Sequence, residues 1–210
     1  MVERFLKIIR NKYFLGVATL AVVTLFIFGA IIYTRLYRSN VDIKKDKLLF
    51  IPTGSDFNTV LDSIKKNSLV VDVESFVKAS KSLGYIQRVK PGCYKIKTGM
   101  SNRTLIRMLI TASQVPVRVT FNNIRTPEQL AGKVATQIEA DSLSIIRYFK
   151  GQDIPQSYGF NEFTFISMFI PNTYEFYWNT NAKVFFDRMK KEHTLFWNKE
   201  RIDKAQSIGL

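Results

Sequence analysis

Val117-Arg118-Val119-Thr120-Phe121-Asn122-Asn123-Ile124-Arg125-Thr126-Pro127-Glu128-Gln129 holds a strand, a turn and a helix start in one short stretch. Val117, Val119 and Phe121 alternate with Arg118 and Thr120, the period of a strand with one wet face. Asn122-Asn123 interrupts that period as a turn. Thr126 is placed to cap a helix, with Pro127 at its first position and Gln129 three residues after the cap, the spacing of a capping box. Leu130, Val134 and Ile138 then mark one helical face. A strand running through a turn into a capped helix predicts an α+β chain.

The same order occurs twice upstream. Leu48-Leu49-Phe50-Ile51 reads as a short strand stopped by Pro52, Thr53-Gly54 as a turn, and Ser55 or Asp56 as a cap. Phe57, Val60, Leu61 and Ile64 follow at i, i+3, i+4 and i+7. Asp72 caps a further helix with Phe76, Val77 and Leu83 on its buried side and Gly84 at its left-handed end. Pro91-Gly92 turns, Tyr94-Lys95-Ile96-Lys97 alternates, Thr98-Gly99-Met100 turns again, and Ser101 caps a helix carrying Leu105, Ile106, Met108 and Leu109. The three units share little sequence, so they predict no solenoid.

Apolarity is unevenly spread. Tyr13 to Thr34, YFLGVATLAVVTLFIFGAIIYT, carries no charge. As a helix it spans roughly 33 Å, enough for a hydrocarbon core of about 30 Å. Tyr13, Tyr33 and Tyr37 sit where amphipathic rings favour the headgroup region. A cleaved signal would have a shorter apolar core and a small-x-small site; here Ile31-Ile32-Tyr33 follow the small pair Gly29-Ala30, so an uncleaved anchor is expected. The stub holds Arg4, Lys7, Arg10 and Lys12, and the far side holds Arg35, Arg38, Lys44, Lys45 and Lys47. Charge bias alone leaves the orientation open, and the ease of retaining a short basic stub places residues 1–12 in the cytoplasm and 35–210 outside. Arg35 to Lys47 reads as a polar linker.

The chain has 31 Lys+Arg against 17 Asp+Glu, a formal charge of +14. A basic surface suits nucleic acid, acidic lipid or anionic wall polymers; with the bulk of the chain outside, nucleic acid is not an expected partner. One cysteine, Cys93, allows no internal disulfide, and one histidine, His193, excludes sites needing two imidazoles. No phosphate-binding glycine loop, serine-hydrolase elbow or calcium-loop spacing is present, and no metal or organic cofactor is expected.

Residues 148–178 hold 11 of the 28 aromatic residues. Such rings can floor a saccharide groove or fill a core; Phe163, Phe165 and Phe169 read as core. Asp153, Glu162 and Glu175 are the carboxylates nearest this region, each more readily a solvated charge than an acid/base group. Phe169-Ile170-Pro171-Asn172-Thr173-Tyr174-Glu175-Phe176 reads as a rigid polar turn in an aromatic setting, able to position a polymer or simply to close a loop. Asn181 to Leu210 is helical, with Phe185, Phe186, Met189, His193 and Phe196 near one face and His193 at its boundary.

Four features, taken in order, resemble the endolytic murein transglycosylase family, also called YceG-like. They are the N-terminal anchor, Ile51-Pro52-Thr53-Gly54-Ser55, Gly92-Cys93-Tyr94-Lys95-Ile96-Lys97-Thr98-Gly99-Met100-Ser101, and Phe169 to Phe176, which is similar to the family's L-F-P-D-T-Y-x-F. Asn172 stands in place of the usual Asp, and Ile166 near a frequent Glu.

The resemblance implies a transmembrane anchor over 13–34, a linker over 35–47, a LysM-like strand/helix domain over 48–114 and the first part of an α+β catalytic domain over 115–210. It implies substrate binding by Asn172, Thr173, Tyr174 and Glu175. The family's catalytic Glu, in a segment resembling A-S-I-x-x-x-E, is expected beyond Leu210, so this chain by itself is expected to be inactive. The implied activity is lytic cleavage of MurNAc–GlcNAc β-1,4 bonds in nascent peptidoglycan at the inner membrane, beside peptidoglycan synthases. The alternative is a noncatalytic, membrane-anchored LysM-like protein that holds peptidoglycan.

Overall fold

The computed structural model describes residues 12–209. The cytoplasmic stub expected over 1–12 lies, apart from Lys12, outside the described residues. Helix α1 spans Lys12–Tyr37. Its stretch Phe14–Tyr37 is, among the described residues, the one helix long and apolar enough to cross a membrane, and its apolar window is not buried against protein. The hydroxyls of Thr19 and Thr24 donate back to the Leu15 and Leu20 carbonyls at 2.8 Å, so the polar atoms of the apolar run are satisfied within the helix.

After α1 come β1 (Lys47–Ile51), α2 (Phe57–Lys66), α3 (Val73–Ser82), β2 (Gly92–Ile96) and α4 (Asn102–Ile110). Then follow β3 (Val117–Phe121), α5 (Pro127–Ala135), α6 (Ser142–Phe149), the single turn α7 (Ile154–Ser157) and a 3-10 turn at Phe165–Met168. The last elements are β4 (Asn172–Phe176), α8 (Ala182–Phe196) and α9 (Lys199–Ser207). The chain is α+β, with β1 paired to β2 and β3 paired to β4 in two-stranded sheets. Contacts divide it into two units. One comprises Asp56–Val89, Ile96–Thr111 and the described residues of Met1–Lys47; the other comprises Leu48–Ser55, Lys90–Lys95 and the described residues of Ala112–Leu210.

The first unit is helical. Asp56, Asp72 and Ser101 accept from the amides of Thr59, Ser75 and Thr104, so α2, α3 and α4 each start on a side-chain cap. Phe57, Val60 and Ile64 of α2, Phe76 and Ala79 of α3, and Leu105, Ile106 and Leu109 of α4 are buried. Phe57 stacks on Phe76 at 6.3 Å and meets the edge of Tyr85 at 6.0 Å.

The stretch read as a linker, residues 35–47, is knitted into this unit. Helix α1 continues past Thr34 to Tyr37, and Val41 and Ile43 are buried. The amides of Asn40 and Val41 donate to the Met100 carbonyl at 3.0 and 3.1 Å, and Gly99 donates to Val41 at 2.9 Å. Buried Asn40 bonds Asn102 and both the amide and the carbonyl of Asp72, each at 2.8 Å. Asn102 in turn donates to the Arg35 carbonyl, near the end of α1, at 3.0 Å. The last carbonyls of a helix need donors, and the start of α4 supplies one.

The second unit packs α5, α6 and α8 with the β3–β4 ribbon around an aromatic core. Phe121, Phe165, Phe185 and Phe186 are fully buried. The ribbon is antiparallel, with Val117 opposite Phe176, Val119 opposite Tyr174 and Phe121 opposite Asn172. Thr126 caps α5 through the Gln129 amide, and the Gln129 side chain reaches back to the Arg125 amide at 2.9 Å, one residue earlier than the capping-box spacing implies. Phe165 and Phe169 are core, as the sequence reads, but Phe163 is 91% exposed. Asn161 Oδ1 accepts from the amides of Phe163 and Thr164, and that tight turn throws the ring outward.

Candidate functional site

The signature residues Asn172 to Glu175 form the first four positions of β4, a strand where a polar turn was expected. Pro171 lies just before it and costs the ladder no donor. Parity then divides the side chains. Tyr174 and Phe176 point inward; Tyr174 is 6% exposed, stacks on Phe121 at 5.6 Å and donates to the Ile170 carbonyl at 2.6 Å. Burial pushes the Tyr174 phenol up from its ordinary pKa. Thr173 and Glu175 point outward beside Thr120 and Arg118, with the two threonine hydroxyls 2.8 Å apart. Asn172 is exposed and its side chain accepts from the Thr173 amide. The four nominated residues are thus neighbours in one strand, with Tyr174 facing the core, Thr173 and Glu175 on the outer face, and Asn172, which shares the parity of Tyr174, exposed at the strand's first position.

Two open grooves lie within the second unit, the second of them bordered by this strand. One, of about 860 Å³, is lined by Thr53, Glu139, Arg147, Tyr148, Asn179 and Lys183 among others. The second, of about 610 Å³, is lined by Glu175, Tyr177, Asp187, Arg188 and Lys191. Thr180 borders both grooves. One sequence motif and the flanks of two others meet at the first. Thr53 comes from Ile51–Ser55, Pro91 immediately precedes the Gly92 motif, and Asn179–Lys183 follow the β4 signature. Glu139 closes the Thr53 turn, its two carboxylate oxygens accepting from the Thr53 amide at 2.5 Å and the Thr53 hydroxyl at 2.6 Å. Phe50 of β1 packs on Trp178 at 5.1 Å and ties the same segments together.

A hydrogen-bonded chain runs beneath the grooves. Tyr148 and Tyr158 have hydroxyls 3.1 Å apart, Tyr158 donates to Asp187 at 2.6 Å, and Lys183 donates to the other oxygen of Asp187 at 2.7 Å. Burial, reinforced by Asp187 and Tyr148, raises the Tyr158 pKa far above its ordinary value, so this phenol is a fixed donor. Burial pushes the Asp187 carboxyl up, but the bonds from Lys183 and Tyr158 outweigh it and hold the group below its usual range.

The grooves therefore offer hydroxyl and amide groups, two cations each, of which Lys183 and Arg188 are already paired with Asp187 and Glu192, and the ring of Tyr177, 58% exposed. Exposed rings can stack on a flat ligand face, hydroxyls and amides make directional bonds, and cations pair with carboxylates. Of the other carboxylates nominated from sequence, Asp153 and Glu162 line a separate recess of about 370 Å³. Among the described residues no three His, Cys, Asp or Glu side chains gather as metal ligands. Glu139, Arg147 and Lys183 were not nominated from the sequence, because nothing in their spacing joins them. What finds them is the tertiary structure, which brings their segments to one groove beside Thr53.

A family profile described as the YceG-like family matches residues 49–210. Comparison with curated proteins finds no match. Among solved structures, a chain described as a YceG-like protein of Listeria monocytogenes, determined at 2.6 Å, is 14% identical with a TM-score of 0.42. The likeness covers 80% of the present chain and 60% of that one.

Proposed function

This chain belongs to the YceG-like family, and on that premise we propose that it acts in endolytic murein transglycosylation from a membrane anchor. The observation that carries the reading is the family match over residues 49–210, in a chain with a membrane-length apolar helix ahead of the matched region. In this reading α1 crosses the inner membrane, residues 1–12 stay in the cytoplasm and residues 35–210 meet nascent peptidoglycan beside its synthases. The β-α-α-β order from β1 to β2 supports a LysM-like module that holds glycan.

The chemistry is a single-carboxylate lysis. A glutamic acid gives its proton to the leaving GlcNAc O4 as the C1–O4 bond breaks. The MurNAc 6-hydroxyl then bonds to C1 and returns a proton to the carboxylate. The nucleophile belongs to the same sugar, so its effective concentration is high and no water is consumed. The residues of this chain supply binding and orientation. Tyr177 stacks on a sugar face, Asn179 and Asn181 bond acetamido and hydroxyl groups, and Arg147 holds stem-peptide or lactyl carboxylates. No acid/base role is assigned to any of them.

The test is to incubate the detergent-solubilised natural protein with intact sacculi and analyse the products by mass spectrometry. The expected products are internal cuts ending in 1,6-anhydro-MurNAc. Reducing ends with water incorporated would make the protein a hydrolase and overturn the reading. Murein retention without any cut would assign it to the noncatalytic holding role.

A further inference from the structure

We propose that the groove between the end of α1 and the start of α3, within the first unit, binds the phosphate of a net-anionic membrane lipid, one whose headgroup carries no compensating cation. This rests on the reading of α1 as a membrane span. Ile31, Thr34 and Arg35 on one face of α1, and Arg38 one residue past its end with its amide still bonded to the Thr34 carbonyl, line an open groove of about 260 Å³ together with Ser75 and Lys78 of α3. A neighbouring groove of about 580 Å³ shares Thr34, Arg35 and Arg38 with it.

Depth sets the chemistry. The uncharged stretch from Phe14 to Thr34 rises roughly 31 Å, matching a hydrocarbon core of about 30 Å. Ile31 therefore lies at the edge of the acyl region, and Arg35 and Arg38 lie among the headgroups. Tyr33 and Tyr37, stacked at 4.8 Å, mark the same level. The groove is apolar at one end and cationic at the other, the polarity order of a phospholipid from acyl chain to phosphate.

The carboxylates at this groove are engaged: Glu74 pairs with Lys78, and Asp72 accepts from the Ser75 amide at 2.8 Å. Among the described residues neither Arg35 nor Arg38 has a carboxylate partner. A guanidinium presents a planar fork that matches two phosphate oxygens. The two walls are held in register, because Asn102 donates to the Arg35 carbonyl and to the Ser75 hydroxyl, each at 3.0 Å. The cations are therefore presented from a fixed frame.

The test reconstitutes the full chain in nanodiscs of equal phosphatidylglycerol and phosphatidylcholine, releases it into mild detergent and counts retained lipid by native mass spectrometry. Phosphatidylglycerol is expected to be retained over phosphatidylcholine by about tenfold, as expected of paired guanidinium forks. Arg35→Gln with Arg38→Gln should abolish that preference, Arg38→Gln alone should weaken it, and Lys204→Gln on α9 should leave it intact. Circular dichroism melting confirms that the variants fold. Equal retention of both lipids by the natural chain, or a preference surviving the double substitution, would overturn the proposal. Glycerol phosphate that protects the lipid-free chain as well as phosphatidylglycerol does would overturn the lipid as the source. Carbonate extraction separates the two premises. A chain washed from membranes defeats the anchor reading, whereas a chain that stays embedded without lipid preference defeats the lipid site alone.

Discussion

Replacing Phe186 by alanine tests whether the aromatic-rich segment is a core. Phe186 is fully buried, with ring centroids of Tyr148, Phe169, Phe165, Phe185 and Phe149 between 4.8 and 6.0 Å from its own. Truncating a buried Phe costs about 3–5 kcal/mol. The edge-to-face neighbours add to the transfer cost, which puts this site near the upper end, about 4–5 kcal/mol. At about 3–5 °C per kcal/mol for a unit of this size, the melting temperature should fall by roughly 12–25 °C. The chain has 2 tryptophans, Trp178 and Trp197, both in the second unit, so tryptophan fluorescence in detergent follows that unit alone. Phe163→Ala is the matched control. That ring is 91% exposed, so its loss should change stability by no more than about 0.5 kcal/mol. Equal shifts for the two variants, or a harmless Phe186→Ala, would refute the assignment of these rings to a packed core.

Gly92→Ala should destabilise the second unit by about 2 kcal/mol in denaturant titration, because Gly92 sits at φ +141° and a Cβ there would run into the Gln114 side chain. His193 supplies a pH-dependent expectation. Burial, then the Lys190 charge, holds its imidazole below the usual 6.5. As pH falls through that value the unfolded chain takes up the proton first, so stability declines on the acid side, and His193→Gln should remove that component from melting temperature measured against pH.

Local chemistry made much of this fold legible. Asp56, Asp72, Ser101 and Thr126 cap the helices they precede because a cap needs only an acceptor two or three residues from a free amide. Non-local pairing was not legible. Val41 and Ile43 lie in a stretch too short to show a period, and Val41 is held by backbone partners at Gly99 and Met100, far away in sequence. Phe163 was misread because hydrophobicity was judged without the Asn161 turn that expels it. The groove escaped for the same reason as the linker: Thr53, Glu139 and Lys183 come from three separate segments, and tertiary structure alone brings them to one surface.

The signature strand shows why residue identity does not reveal which face a residue occupies. Read as a turn, Asn172 to Glu175 could all reach a ligand. As a strand in register with β3, alternate residues must part, and Val119 opposite Tyr174 fixes which go inward. Tyr174→Phe separates the two readings. Removing the hydroxyl deletes a 2.6 Å bond to the half-buried Ile170 carbonyl and leaves that acceptor without its donor. The loss of stability should be about 1–2 kcal/mol, measured by urea titration, while retention on murein sacculi stays unchanged. Glu175→Gln and Thr173→Ala, on the outer face, should behave in the opposite way, with stability within about 0.5 kcal/mol of the natural chain and weaker retention. A Tyr174→Phe variant of unaltered stability that no longer binds murein would mean that the phenol contacts substrate, and the register argument would fail with it.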